Sequence, residues 1–535
     1  MTGSKKFIPT KPSGDIFSKR SLASRVIRWV LITSISLAVL LVLTGSILSY
    51  VVQNKAEEEF RKVNGTFSSL SINLFTRSVT VRNVNKGSGI DSSQTSATIK
   101  YIKLRGIRLF DLLVYKRIHA KELQIDSGSI SIDQSQKKDT TKSPGSQKIF
   151  PFEIENIIIH NVFIELQQNS TTQIEALIDL QYGALKIDSI STIQSTVKSS
   201  FHHLIGNLSK IKIKKKNGLY TSQVDKIEFN SNDQSLFIDS LKLIPNYGKY
   251  EFAHVHEKQV SRLDLSVHNI GIMGLNYHKL FDSLISIQKI AIHGANLHSF
   301  RDKRVAFKNG YINMPMRSLE ELEFALEIDS ILIDSTKIIV EEFAEQAIRP
   351  GRISFLNLSA TMTRLSNRYY ENKPTYSQLD AKANIMGNGR ISASFRFPLD
   401  GSPLYSAKGS VSNMPLTDLN PILENSAQIR IESGILNELY FNFNYTDYKS
   451  VGTIEINYND LQLTKLNSDK EKSVDRLNTV LINAFLKKTK DETTEQRKRM
   501  GIIDQDRDRH RFVFNLWWKS IQSGLKSSVL GNDKK

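Results

Sequence analysis

The chain runs to 535 residues, with Lys plus Arg exceeding Asp plus Glu by 72 − 54 = 18, and it has no cysteine. That excludes a disulfide-stapled domain, a thiolate metal site, a thiol enzyme and an anchor through an N-terminal lipidated cysteine. With 26 Phe and 17 Tyr against 12 Pro, the chain holds too many core formers to be disordered, and its length admits three or four ordinary domains or one elongated repetitive body.

Residues 1–28 carry Lys5, Lys6, Lys11, Lys19, Arg20, Arg25 and Arg28 against a single acid, Asp15. From Trp29 to Asn54 there is no charge, and about 20 such residues suffice to cross a bilayer as a helix. The run predicts a transmembrane helix over 29–54, with Leu40 and Leu41 within it and Trp29 and Tyr50 at interfacial positions. It is longer than a signal-peptide core of ~7 to 15 residues and no A-x-A site follows, so it reads as an uncleaved anchor. The positive-inside bias leaves the N-terminus in the cytoplasm and translocates the bulk of the chain.

Beyond the anchor, apolar residues recur at every second position, the period of a sheet with one greasy face. In region 55–132, Leu70, Ile72 and Leu74 alternate with polar residues, and Thr76-Arg77-Ser78 turns the chain into Val79 and Val81, a hairpin signal. Ile130 and Ile132 follow Ser127-Gly128-Ser129. Residues 133–148 are nearly devoid of apolar side chains and read as a linker or loop. Through 149–386 the phrase Ile-Asp-Ser recurs at Ile187, Ile238, Ile328 and Ile333, as it does earlier at Ile125. Asp and Ser bond readily to nearby backbone, so the phrase reads as strand-ending punctuation between similar units of unequal length.

Helical signals are sparse: Leu275 to Ser286, Lys337 to Ala347 and Thr417 to Asn425. Over 387–472, Ile391, Ala393, Phe395 and Phe397 alternate after a turn at Gly387-Asn388-Gly389, and Leu439, Phe441, Phe443 and Tyr445 repeat the pattern. About 30 strands are expected in all. In the tail, 473–535, Val474, Leu477, Leu481, Ala484 and Phe485 mark one helix face, Lys487 to Arg511 reads as exposed and charged, and Phe514, Trp517, Trp518, Ile521, Leu525 and Val529 form a second helical stripe. Two readings fit that last helix: a cap over the final open strand, or an interfacial helix that meets a membrane or a partner.

No constellation for bond-making chemistry stands out. The chain has no H-E-x-x-H, G-x-S-x-G, P-loop or G-x-G-x-x-G, and His254-x-His256, which could share one strand face, has no third ligand nearby. No cofactor and no metal site are expected. Basic residues such as Lys212, Lys214 and Lys216 alternate with Ile211 and Ile213, as on the wet side of a strand, which speaks for anionic lipid or envelope surfaces, or for protected strand edges, and not for nucleic acid. The fold class expected is mainly β: a transmembrane helix, an elongated, curled antiparallel β-groove with a few short helices, and a helical tail. Strands in this number expose more greasy surface than so few helices can cover.

Particular segments resemble a known family. FSSLSINLFTRSVTVRNV and SATIKYIKLRGIRLFDLLVYKRIHAKELQIDSGSISID, and later Gly387 to Leu466 with Asn420-Pro421, Ser433-Gly434 and Tyr458-x-Asp460-Leu461, are similar to the two ends of AsmA-like proteins. Phe300-Arg301-Asp302-Lys303-Arg304 and Pro350-Gly351-Arg352-Ile353-Ser354-Phe355 resemble the Bacteroidota-type members. These are single-anchor periplasmic proteins of Gram-negative bacteria, to which the longer TamB-type bridging proteins are related. The resemblance implies a β-groove that shields phospholipid acyl chains between inner and outer membranes, with no catalytic residues. Expected groove-lining positions are Leu70, Ile72, Leu74, Ile391, Phe395, Phe397, Leu439, Phe441 and Phe443. Expected partners are phospholipids, the inner membrane, and the outer membrane or envelope proteins. The rival reading is a non-enzymatic scaffold or assembly factor that docks envelope proteins through sheet edges and the Trp-rich tail.

Overall fold

Long alternating runs rich in Ile, Val, Phe and Thr leave the backbone one economical answer, the extended strand, and a computed structural model bears this out. It describes most of residues 34–530. Residues 1–33 and 531–535, the internal segments 88–94, 134–151, 168–173, 188–203, 369–374 and 467–496, and scattered further positions lie outside the described residues. The expected linker and the helix expected from Val474 to Phe485 fall there, as do Trp29, Leu40 and Leu41. The described residues between 34 and 61 are helical, and among the described residues no helix is long and apolar enough to cross a membrane.

The chain divides into two compact units, one formed by Met1–Ile130, Thr140–Ile158 and Ser189–Ser200, the other by Ser131–Asp139, Ile159–Asp188 and Phe201–Lys535. In the first unit, β1 (Gly65–Thr66) and β2 (Ser69–Asn73) pair with one side of β3 (Ser78–Lys86), and β4 (Thr95–Arg105) pairs with the other. The expected hairpin is present, with Leu70 opposite Val81 and Ile72 opposite Val79. Leu74, however, belongs to the turn. Ser49 of the N-terminal helix accepts a hydrogen bond from the Ile72 amide at 2.7 Å, so the outer edge of β2 is not bare there. β5 (Ile118–Asp133) and the first part of β6 (Phe152–Gln167) complete this unit. Ser127-Gly128-Ser129 lies within β5, with Ser127 at φ 54°.

The second unit is a sheet of successive neighbours: β7 (Ile174–Ile187), β8 (Leu204–Lys215), β9 (Tyr220–Asn230), β10 (Ser235–Pro245), β11 (Ser261–Met273), β12 (Leu284–Asp302), β13 (Ala325–Phe343), β14 (Gly351–Ser366), β15 (Tyr376–Ile385), β16 (Gly389–Pro398), β17 (Tyr405–Pro415), β18 (Ile429–Tyr445), β19 (Lys449–Lys465) and β20 (Arg497–Asp506). Each pair is antiparallel except β12 with β13. The helices are few: α1 (Glu251–Val255), α2 (Pro315–Glu320), α3 (Asn420–Ala427) and α4 (Val513–Leu530).

Among the described residues there are 20 strands, not about 30, because several run to 16 to 19 residues. Two expected α-helices are absent. Lys337 to Phe343 finishes β13, where Ile338, Ile339 and Val340 favour an extended chain. Of Leu275 to Ser286 only a 3-10 turn, Lys279–Asp282, is helical before β12 begins at Leu284. The third is present: a 3-10 turn, Leu416–Leu419, runs into α3. Arg497–Asp506, expected to be exposed, is β20, whose Ile503 is fully buried. His254 and His256 sit in and just after the short helix α1 instead of on a strand.

Parallel pairing forces the chain leaving Asp302 to return along the strands before Ala325. Segment 303–324 therefore becomes a strap across the sheet's covered face. It places Met314 and Met316 in the core formed by β15 to β20. At the far rim it is riveted: the Ile312 amide donates to the Arg509 carbonyl at 2.9 Å, the Arg507 guanidinium donates to the Ile312 carbonyl at 2.6 Å, and Tyr311 Oη donates to Asp447.

Candidate functional site

The decisive local event recurs in mid-strand. Lys210 in β8, Ser240 in β10, Gly294 in β12 and Ser335 in β13 all have φ between 50° and 68°. A left-handed residue interrupts the two-residue alternation, so the side chains on either side of it, three positions apart, meet on the same face. Ile238 and Leu241 thus pack in one cluster, as do Leu208 and Ile211; Val224 and Ile227 of β9, their cross-strand neighbours, join the same cluster although β9 has no left-handed residue. Of the five Ile-Asp-Ser phrases, Ile125-Asp126-Ser127, Ile238-Asp239-Ser240 and Ile333-Asp334-Ser335 place their serine at such a kink. At those three places the phrase bends a strand and does not end it; Ile328-Asp329-Ser330 lies within β13 without a left-handed residue, and β7 ends at Ile187.

Cross-strand register aligns these events. On one side of the kinks, Leu180, Ile211, Val224, Leu241, Val267 and Ala295 stand opposite one another from β7 to β12. On the other side run Gly183, Leu208, Ile227, Ile238, Ile270 and Ile292. The result is two parallel apolar rails that cross six strands, about 24 Å at ~4.8 Å per strand. The first rail is tightly buried at Leu180, Ile211, Val224 and Val267, whereas Leu208, Ile227 and Ile238 in the second are only half-buried. α1 stands at the end of these strands, Phe252 packing on Tyr220 at 5.2 Å. The principal helix packing elsewhere falls on β12, β14 and β18 to β20.

The same face is filled by protein farther along. Trp517 stacks on Phe395 of β16 at 4.0 Å and meets Tyr445 of β18 at 6.1 Å, while Gly524 approaches Ile454 of β19 and Ile503 of β20. One helix about 10 Å across touches strands that would span ~19 Å if flat, so the sheet curls around α4. Ile391, Phe395, Phe397, Leu439, Phe441 and Phe443, expected to line a groove, all belong to this helix-covered core. Phe441→Asp would bury a charge there and test folding, not ligand binding. Leu70 and Ile72 belong to the first unit's hairpin, and Tyr50 is exposed on the N-terminal helix.

The tail residues separate by helix face. Trp517, Ile521 and Leu525 pack onto the core with Leu516, while Phe514 and Trp518 are exposed. Inward serines complete the seal. The Ile502 amide donates to Ser527 Oγ at 3.1 Å, the Asp504 amide to Ser523 Oγ at 3.3 Å, and Ser523 Oγ donates to the Asp504 carbonyl at 3.0 Å. Side chains of α4 thus occupy the backbone edge of β20 that a further strand would need.

The short motifs prove to be joints. Asn420 accepts from the Ile431 amide at 2.8 Å and donates to its carbonyl at 2.9 Å, tying α3 to β18. Gly434, at φ 137°, sits where a Cβ would come within 3.1 Å of Leu461 Cα, and Ser433 Oγ donates to the Asp460 carbonyl at 2.6 Å. Asp302 is fully buried and takes a bidentate contact from Arg304 at 2.9 and 2.6 Å. Those bonds outweigh burial and hold its carboxyl below the usual range. Burial pushes Glu341 up, but Lys249 and His298 outweigh it and leave its carboxyl lowered. Burial also raises Tyr405 to about 12.

Among the described residues no group of three or more His, Asp or Glu is arranged to hold a metal ion. Neither a protein-family model nor a curated protein matches the chain.

Proposed function

We propose that the chain is an inner-membrane-anchored periplasmic protein of the AsmA-like kind whose rails hold phospholipid acyl chains, contributing to lipid movement between the two membranes and to envelope homeostasis. The observation that carries this reading is the contrast along one face. From β14 to β20 the chain supplies its own cover, while from β7 to β12 it aligns two apolar rails in register and leaves the second half-covered. Each CH₂ kept from water contributes about 0.8 kcal/mol, so an acyl chain lying along the rails moves without the full cost of hydration. The role is solvation and not bond-making. The uncharged run Trp29 to Asn54, with its basic flank, supplies the tether.

The rival reading, a scaffold that recruits envelope proteins through sheet edges, is weakened at the C-terminal end, where α4 occupies the β20 edge. The test is mass spectrometry of lipids that co-purify with the detergent-extracted full chain. Wild type is expected to carry phospholipid, and Ile227→Thr with Ile238→Thr, at half-buried second-rail positions that face each other, is expected to carry much less while remaining folded by circular dichroism. Equal lipid in wild type and this folded variant would refute the rails as the site.

A further inference from the structure

The closing helix has two faces, and sealing the core uses only one of them. At about 100° per residue, Trp518 lies ~40° round the helix from Phe514, and Lys526 and Lys519 lie ~80° and ~100° beyond Trp518, on the arc away from the buried Leu516 and Ser520. Phe514 is 70% exposed, Trp518 42% and the preceding Phe512 60%. α4 carries these two lysines and no Asp or Glu. Two acids of the flanking segment are already engaged, Asp504 with Lys449 at 3.1 Å and Asp508 with Arg511 at 3.5 Å. Large aromatic rings held in water beside unopposed ammonium groups are costly for a surface that only faces solvent. They match a bilayer interface, where rings sit at headgroup level and lysines meet phosphate.

From this we infer that the outward face of α4, with Phe512, Phe514, Trp518, Lys519 and Lys526, docks on an anionic phospholipid bilayer. The helix is already folded and locked by its inner face, so docking requires no coil-to-helix ordering and the aromatic rings are presented in advance. This surface is separate from the acyl-chain rails, and the two readings fail independently.

The test uses the full chain in nanodiscs of neutral lipid, co-floated with vesicles of phosphatidylcholine alone or with 30% phosphatidylglycerol. Wild type is expected to float with the anionic vesicles and to release them at high salt. Lys519→Glu with Lys526→Glu is expected to lower that affinity roughly 25-fold or more, from about fivefold per lysine near an anionic surface. Phe514→Ala with Trp518→Ala is expected to abolish flotation while the chain remains folded by circular dichroism. Equal flotation of the aromatic variant, equal binding to neutral and anionic vesicles, or loss of self-association with vesicle binding intact would overturn the proposal, the last pointing to a second copy as occupant. Co-purified lipid, read in parallel, reports on the rails alone.

Discussion

Gly501 of β20 faces Gly524 of α4 with almost no space between the two backbones. A Cβ on Gly501 would lie 2.0 Å from the Gly524 carbonyl oxygen and 2.7 Å from the Ser528 nitrogen, whereas real contacts essentially never fall under 3.0 Å. Both obstacles are backbone atoms, so no rotamer change relieves Gly501→Ala, and the helix must retreat by about 1 Å. Overpacking of this kind costs about 3 kcal/mol. Gly→Ala in a strand returns at most ~1 kcal/mol, leaving a net loss of ~2 kcal/mol, or roughly 2 to 3 °C in melting temperature for a unit of this size. Displacement also loosens Trp517 from Phe395, so tryptophan fluorescence should shift to the red in the folded baseline. Urea unfolding of the full chain by fluorescence and circular dichroism measures both. Wild-type stability with an unshifted spectrum in Gly501→Ala would show that α4 is not docked backbone to backbone.

Asp302→Asn should destabilise by about 2 kcal/mol at neutral pH, below the ~3 kcal/mol of a fully buried broken pair because Arg304 is partly exposed. Because the folded carboxyl titrates below its unfolded value, its contribution is complete above pH ~4 and fades as pH falls through the lower folded value. The gap between urea melts of wild type and variant should therefore narrow as pH falls below ~4, and a gap that stays constant on acidification would contradict the assignment. Ser523→Ala with Ser527→Ala removes the side chains that occupy the β20 edge. It should lower stability by about 1 to 2 kcal/mol and introduce concentration-dependent association in sedimentation velocity. A strictly monomeric, equally stable variant would rule out edge protection.

Much of the second unit was legible in its residues. The hairpin at Gly387-Asn388-Gly389, the alternation of Leu439 to Tyr445, the helix over Thr417 to Asn425 and a helix over Phe514 to Leu525 all stand in the structure, though the last one's aromatic stripe divides between two faces. Strand number was misjudged because a left-handed residue in mid-strand looks, in one dimension, like the end of a strand. The readable signal was an apolar spacing of three inside an otherwise alternating run, as in Leu208 to Ile211 and Ile238 to Leu241. β20 was hidden by its own composition: Arg497, Lys498 and Arg499 precede one buried Ile503, and only pairing with β19 makes the segment a strand.

Which side chains tend inward, and that the chain would build sheets, follows from hydrophobic periodicity alone, since a two-residue repeat commits one face to water whatever the neighbours are. Which greasy stretch is covered and which is left half-open does not. Phe395 and Ile238 have equivalent patterns, yet one lies under Trp517 and the other in an aligned rail, because a strap and a helix far along the chain reach only part of the face. That difference rests on contacts between residues more than a hundred positions apart, which no local pattern records.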